Sequence, residues 1–100
     1  MNNTMKLNTK ITLNNGVQIP ILGLGTWKIG DSKVEEIIPS ALNIGYRHID
    51  TAATYQNEVG AGKALLKSGI AREDVFITTK LWNTDHGYDK AIAACDKSLQ

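Results

Sequence analysis

The stretch YRHIDTAATY, residues 46–55, runs as a short apolar–polar alternation that stops at Asp50 and carries a phenol, Tyr55, five residues later. Lys80 stands thirty residues beyond Asp50, at the end of VFITTK. Each side chain alone has an ordinary use. Asp50 suits a turn carboxylate that caps backbone N–H groups, Tyr55 suits packing, and Lys80 suits a solvated strand end. Together they are a carboxylate, an ammonium and a phenol. In a partly dry place the first two hold each other charged, and the ammonium lowers a phenol from its usual pKa of about 10 by about 1–3 units. Such a phenol gives a proton to a carbonyl oxygen that is becoming an alkoxide, or takes one from an alcohol. The hydride for the carbon must come from a nicotinamide, because no side chain supplies one.

That chemistry requires Asp50 and Lys80 to end neighbouring strands on one face. The elements read accordingly. KITLNNGVQIP (10–20) alternates around Asn15-Gly16, the pattern of a β-hairpin with a type I′ turn. ILGLGTW (21–27) reads as a buried strand. In SKVEEIIPSALNIG (32–45), apolar residues at Val34, Ile37, Ile38, Ala41 and Leu42 predict a helix, with a capping box from Ser32 and Glu35 and a stop at Gly45. Pro39 predicts a kink there, or a helix that effectively begins near it. YRHIDT (46–51) reads as a strand, NEVGAGKALLKSG (57–69) as a helix, DVFITTKL (74–81) as a strand and GYDKAIAACDKSLQ (87–100) as a helix with Tyr88, Ala91, Ile92, Cys95 and Leu99 on one stripe.

The order after the hairpin is βαβαβα with short connections, which predicts a parallel sheet with right-handed crossovers. Parallel strands place Asp50 and Lys80 at the same sheet end, the one that carries the active site in α/β barrels. Strand parity sets His48 and Asp50 on one side of their strand, and Phe76, Thr78 and Lys80 on one side of theirs. If Val75, Ile77 and Leu81 pack against helices, Lys80 points into the barrel.

Composition excludes several other classes. The chain has 100 residues, a net charge of +1 and no basic run, so it lacks the footprint of nucleic-acid binding. No apolar stretch reaches the roughly 18–20 residues of a membrane span, and MNNTMKLNTK is not a secretory signal; Met5 is an alternative start. A lone Cys95 forms no intrachain disulfide, and a cytoplasmic, soluble protein is the default. One Cys and two isolated histidines make no metal site. GLGTWK lacks the third glycine of a dinucleotide fingerprint, and NEVGAGKA departs from a phosphate loop at Asn57 and Ala64. Both glycine clusters suit close packing instead.

GYRHIDTAATYQNEVGAGKAL, REDVFITTKLWNTDHGYDKAIAACDKSL and GLGTWK, taken together, resemble the aldo-keto reductase family from about Lys6 to Gln100. The resemblance implies α/β architecture: an N-terminal β-hairpin (about 10–19) and the first three βα units (about 21–45, 46–69 and 74–100) of a (β/α)8 TIM-type barrel, truncated. It implies NADPH-dependent reduction of a small-molecule aldehyde or ketone, with no metal. By resemblance Tyr55 is the proton donor, Lys80 the lysine that tunes it, and Asp50 the aspartate that orients the lysine and meets the nicotinamide ribose. Gly25, Thr26 and Lys28 match cofactor-side positions, with Lys28 reaching the pyrophosphate. Trp27, Trp82 and Asn83 match the substrate pocket.

The family's fourth catalytic residue is a histidine after the fourth barrel strand, which this chain does not reach. His48 does not replace it, since it lies about 6.6 Å below Asp50 at about 3.3 Å per residue. It reads as a lumen-packing residue, and His86 as a solvated one. The resemblance implies a monomer for the full-length form. Three strands of eight leave unpaired edges and a bare sheet face, so the 100-residue chain alone is expected to self-associate and to lack activity. The alternatives are a non-catalytic fragment or interaction module that binds no cofactor alone, or a barrel enzyme of non-redox chemistry.

Overall fold

The computed structural model describes residues 6–100; the alternative start at Met5 lies outside them. Strands β1 (Lys10–Thr12) and β2 (Gln18–Pro20) pair antiparallel with Ile11 opposite Ile19. Strand β3 (Leu24–Gly25), helix α1 (Asp31–Ile44), strand β4 (His48–Asp50), helix α2 (Glu58–Ser68), strand β5 (Phe76–Thr78) and helix α3 (Tyr88–Leu99) follow. The three later strands form a parallel sheet in the order β3-β4-β5.

The hairpin turn differs from the type I′ expectation. Only Gly16 has positive φ, at 87°, whereas type I′ needs it at Asn15 as well. The Gly16 N–H donates to the Leu13 carbonyl at 3.0 Å, and the Leu13 N–H donates to the Val17 carbonyl at 2.7 Å. This is a three-residue connection closed by a left-handed glycine. The Asn15 carboxamide oxygen accepts from the Val17 N–H at 3.1 Å, which holds Asn15 in the turn without the left-handed conformation.

Helix α1 corrects two further expectations. It starts two residues earlier than the capping box requires: Gly30, not Ser32, occupies the cap, and no side chain caps the end. The cause is tertiary, because the Asp31 carboxylate accepts from the Gly60 N–H of α2 at 3.0 Å and so belongs to the helix–helix contact. Nor does the helix begin near Pro39, the second of the two outcomes expected there; it runs from Asp31 to Ile44 with Pro39 inside it. An interior proline costs about 3 kcal/mol. Val34, Ile38 and Leu42 are fully buried, at about 1.5–3 kcal/mol each, and together outweigh it. At the far end Gly45, at φ 130°, turns the chain, and Arg47 donates to the Leu42 and Tyr46 carbonyls at 2.8 and 2.7 Å.

The sheet separates two faces by parity. Ile49 is fully buried, Leu24 and Ile77 pack beside it, and all three join Val34, Ile38, Leu42, Ala61, Ala64 and Val75 in one core under α1 and α2. The opposite face carries His48, Asp50, Phe76 and Thr78, with His48 and Phe76 in edge contact at 5.3 Å between ring centres. Helix α3 stands apart. None of its residues is buried, and Tyr88 and Leu99 of its apolar stripe are 84% and 78% exposed. An apolar groove of about 1020 Å³ lies between α2 and α3, lined by Leu65, Leu66, Leu81, Ala91 and Cys95 among others. No helix among the described residues is long and apolar enough to cross a membrane.

Helices α1 and α2 meet where Gly60 lies against Asp31. A β-carbon there would stand 2.6 Å from the Asp31 carbonyl oxygen, whereas one at Gly62 meets nothing within 4 Å. Two alanine substitutions two residues apart therefore have opposite signs. Gly60→Ala lowers stability by about 1–3 kcal/mol through overpacking, and Gly62→Ala raises it by about 0.5–1 kcal/mol through helix propensity. Urea midpoints of the two variants check this.

Candidate active site

The C-terminal ends of β3, β4 and β5 meet at Asp50. The Thr26 N–H, just past β3, donates to the Asp50 carbonyl at 3.0 Å, and the Thr51 N–H donates to the Thr78 carbonyl of β5 at 2.8 Å. Lys80, two residues beyond β5, folds back over the β4 end. Its ammonium donates to the Asp50 carboxylate and, at 3.1 Å, to the Thr51 carbonyl. Its own carbonyl accepts from the Ala53 N–H at 3.3 Å. The lysine is thus held by backbone and side chain together.

Tyr55 ends a 3₁₀ turn, Ala53–Tyr55, and the chain then reverses through Gln56 in the left-handed region at φ 59°. This arrangement puts the phenol ring beneath Lys80, with the ammonium nitrogen 5.2 Å from the ring centre. A hydrogen bond to the Asp50 carboxylate raises the Lys80 pKa above the ordinary lysine value; partial burial opposes this, and the charge of Asp50 and the Tyr55 phenol add to it. The pair is not dry: the Lys80 and Asp50 side chains are 47% and 40% exposed, so solvent screens their attraction. What the arrangement offers chemically is an ammonium, held by a carboxylate, beside a phenol.

The remaining candidates are distributed around this trio. Gly25 pairs with Asp50 in the parallel register, and a β-carbon on it would meet nothing within 4 Å. Backbone is therefore uncovered beside the carboxylate, where a flat ring can approach. Thr26 is fully buried, and its hydroxyl faces the Asp50 carbonyl and the Asn57 side-chain oxygen, both at 3.4 Å. Trp27 is 66% exposed, and Lys28, in the left-handed region at φ 62°, sets its ammonium 4.7 Å from the Trp27 ring centre. Trp82 and Asn83 follow Lys80, with Asn83 opening a 3₁₀ turn, Asn83–Asp85; both side chains are exposed. His48 is engaged inside the opposite sheet face, with Nδ1 3.2 Å from the Pro20 carbonyl and Nε2 2.8 Å from the Thr78 hydroxyl. His86 is exposed.

Sequence reasoning passed over the residues that tie the site's loops together. Asn57 is fully buried. Its amide donates to the Thr26 and Ile29 carbonyls at 2.9 and 3.0 Å, and its oxygen accepts from the Thr51 hydroxyl at 2.8 Å. Glu58 accepts from Thr79 at 2.5 Å and from Ser98 at 3.1 Å, linking the residue after β5 to α3. One signal was available: a polar Asn directly before a helix is a standard cap residue. Its long-range partners, 28 and 31 residues away in the chain, leave no local trace.

Parallel βα units that gather a carboxylate, an ammonium and a phenol at their C-terminal ends define part of a TIM-type barrel with a site at its mouth. The Aldo/keto reductase family profile matches residues 21–100. The chain is 51% identical over 94 residues to an aldo-keto reductase of Mycolicibacterium smegmatis, covering 94% of this chain and 34% of that protein. It superposes with a TM-score of 0.88 on the crystal structure of an aldo/keto reductase from Brucella melitensis, at 52% identity over 91% of this chain and 36% of the other. The Bombyx mori aldo-keto reductase in complex with NADP gives a TM-score of 0.82 at 40% identity, over 91% of this chain and 33% of the other. The chain belongs to the aldo/keto reductase family. It spans about a third of the length of the relatives it matches.

The raised Lys80 pKa has a definite linkage sign. Stability from this interaction is fully present below the ordinary lysine pKa and is lost as pH rises through the higher folded value. Asp50→Asn removes the largest cause, so the Lys80 titration falls back toward the ordinary value; stability near neutral pH drops, and the loss of stability on going to alkaline pH becomes smaller. Lysine side-chain NMR and unfolding at alkaline pH read both effects.

Proposed function

We propose that the complete barrel carrying this chain reduces aldehydes or ketones to alcohols with NADPH, and that Tyr55 delivers the proton. The observation that supports this most directly is the Lys80 ammonium, 5.2 Å from the Tyr55 ring centre and anchored on Asp50 and Thr51. Membership of the family and the NADP complex of a relative support the cofactor.

In this reading the carbonyl oxygen of the substrate lies against the Tyr55 hydroxyl. As charge develops on that oxygen, Tyr55 transfers its proton to it. Lys80 stabilises the negative charge left on the phenol oxygen, and Asp50 keeps the ammonium in place. In the reverse direction Tyr55 takes the proton from an alcohol. NADPH, when bound, supplies the hydride.

The chain's own residues suit one end of that cofactor. The half-exposed Asp50 carboxylate can accept a ribose hydroxyl, the open backbone at Gly25 admits a planar ring, and Lys28 is an exposed cation for a phosphate. Thr26 supports this region from within. Trp27, Trp82 and Asn83 are the pocket walls of this proposal, exposed at the ends of β3 and β5. We place the protein in the cytoplasm, in keeping with its single, exposed Cys95.

For the 100-residue chain alone we propose no catalysis. The favouring observation is the unfilled apolar groove between α2 and α3, together with coverage of about a third of each relative.

Tyr55→Phe in the complete barrel is expected to lower kcat by at least about 100-fold with a small change in cofactor affinity. Turnover retained in that variant removes the role given to the phenol. Titrating NADPH into the 100-residue chain is expected to give no saturable tryptophan quenching up to about 1 mM. Saturation at micromolar cofactor would show that the chain builds a cofactor site unaided.

A further inference from the structure

We propose that Asn57 is a positioning residue for the acid–base pair: its buried carboxamide sets the spacing between Lys80 and Tyr55. The inference deepens the reductase reading, and its kinetic arm rests on that reading. The geometry stands without it.

Asn57 lies two residues after Tyr55, at the cap of α2, where its backbone carbonyl accepts from the Ala61 N–H at 2.9 Å. The segment that carries the phenol therefore ends on a residue that cannot move without breaking buried bonds. The same side chain holds Thr51 through a 2.8 Å hydrogen bond from its hydroxyl. Thr51 directly follows Asp50, and its carbonyl is the second acceptor of the Lys80 ammonium, at 3.1 Å. One amide thus grips the loop under the lysine and the loop under the tyrosine. Its two donors reach a third segment, at the Thr26 and Ile29 carbonyls.

A residue needed only for packing here could be apolar, with no polar atom to satisfy. Asn57 instead uses both amide protons and its oxygen, and no buried side-chain polar atom among the described residues is left unpartnered. A fully satisfied buried network rigidifies the segments it joins. The charged and titratable groups that face the Lys80 ammonium are Asp50, from the end of β4, and Tyr55, from the following turn. Both are attached to segments that Asn57 holds.

The test uses the full-length protein with labelled lysine side chains and three variants: Asn57→Ala, Thr51→Val and Thr51→Ser. Thr51→Val removes one hydroxyl at nearly constant volume and decides the matter if Asn57→Ala does not fold. In Asn57→Ala and Thr51→Val the Lys80 titration is expected to fall toward the ordinary lysine value. The kcat is expected to drop at least about tenfold, with its pH midpoint displaced, while the cofactor KM changes little; displacement of reacting groups by about 1 Å can cost about 100-fold. Thr51→Ser restores the hydroxyl and is expected to restore the titration and the pH profile. Folded variants with a lower unfolding temperature but unchanged Lys80 titration and kcat–pH profile overturn the proposal and leave Asn57 a structural residue. Tyr55→Phe, run alongside, separates the two readings. If it retains turnover, the role given to the Tyr55 phenol fails, and the Lys80 titration alone then decides whether Asn57 sets the spacing.

Discussion

Ile49 is fully buried, and its burial decides where Asp50 points. Side chains alternate along a strand, so a residue locked against α1 and α2 forces both its neighbours to the other face. A slip of one residue would push the Asp50 carboxylate into the apolar core and turn Ile49 outward, losing about 1.5–3 kcal/mol of burial and desolvating a charge. The same constraint acts on β5, where Ile77 pairs with Ile49 and Thr78 with Asp50. The face that carries Asp50 is thus a consequence of the apolar face.

From that face the chain carries its chemistry out on loops, and polar contacts then hold the geometry. Lys80 is half exposed, so its attraction to Asp50 is screened and contributes little by itself. Order comes from the additional bonds: the Lys80 carbonyl to Ala53, its ammonium to Thr51, and Thr51 and Thr26 to the same buried amide. A weak pair becomes a defined one because the backbone on either side of it is already tied down.

The outer layer is less complete. Helices α1 and α2 close on each other where Gly60 admits Asp31, and they cover the sheet from β3 to β5. Helix α3 is tied through Ser98 to Glu58 but buries none of its residues, and an open groove separates it from α2. In the family to which the chain belongs, the relatives are about three times as long, and the site described above occupies the part they share with this chain.

Much of this was legible in the residue pattern. The spacing of Val34, Ile38 and Leu42 marked α1, the glycines at 45 and 69 marked helix ends, and strand parity put His48 and Asp50 together on the face away from the core, because hydrophobic periodicity and backbone stereochemistry are local properties. Motif resemblance pointed to the family on the same stretches that its profile matches. Local reasoning failed where a distant contact overrode it. Asp31 is bonded to Gly60 and so displaced the expected cap at Ser32; packing carried α1 through Pro39; and the turn at Asn15 took a three-residue form. Only the tertiary structure revealed Asn57, whose side-chain partners come from two other segments. A polar residue in a sequence looks the same whether it faces water or joins buried loops, and only the folded chain brings its partners within hydrogen-bonding distance.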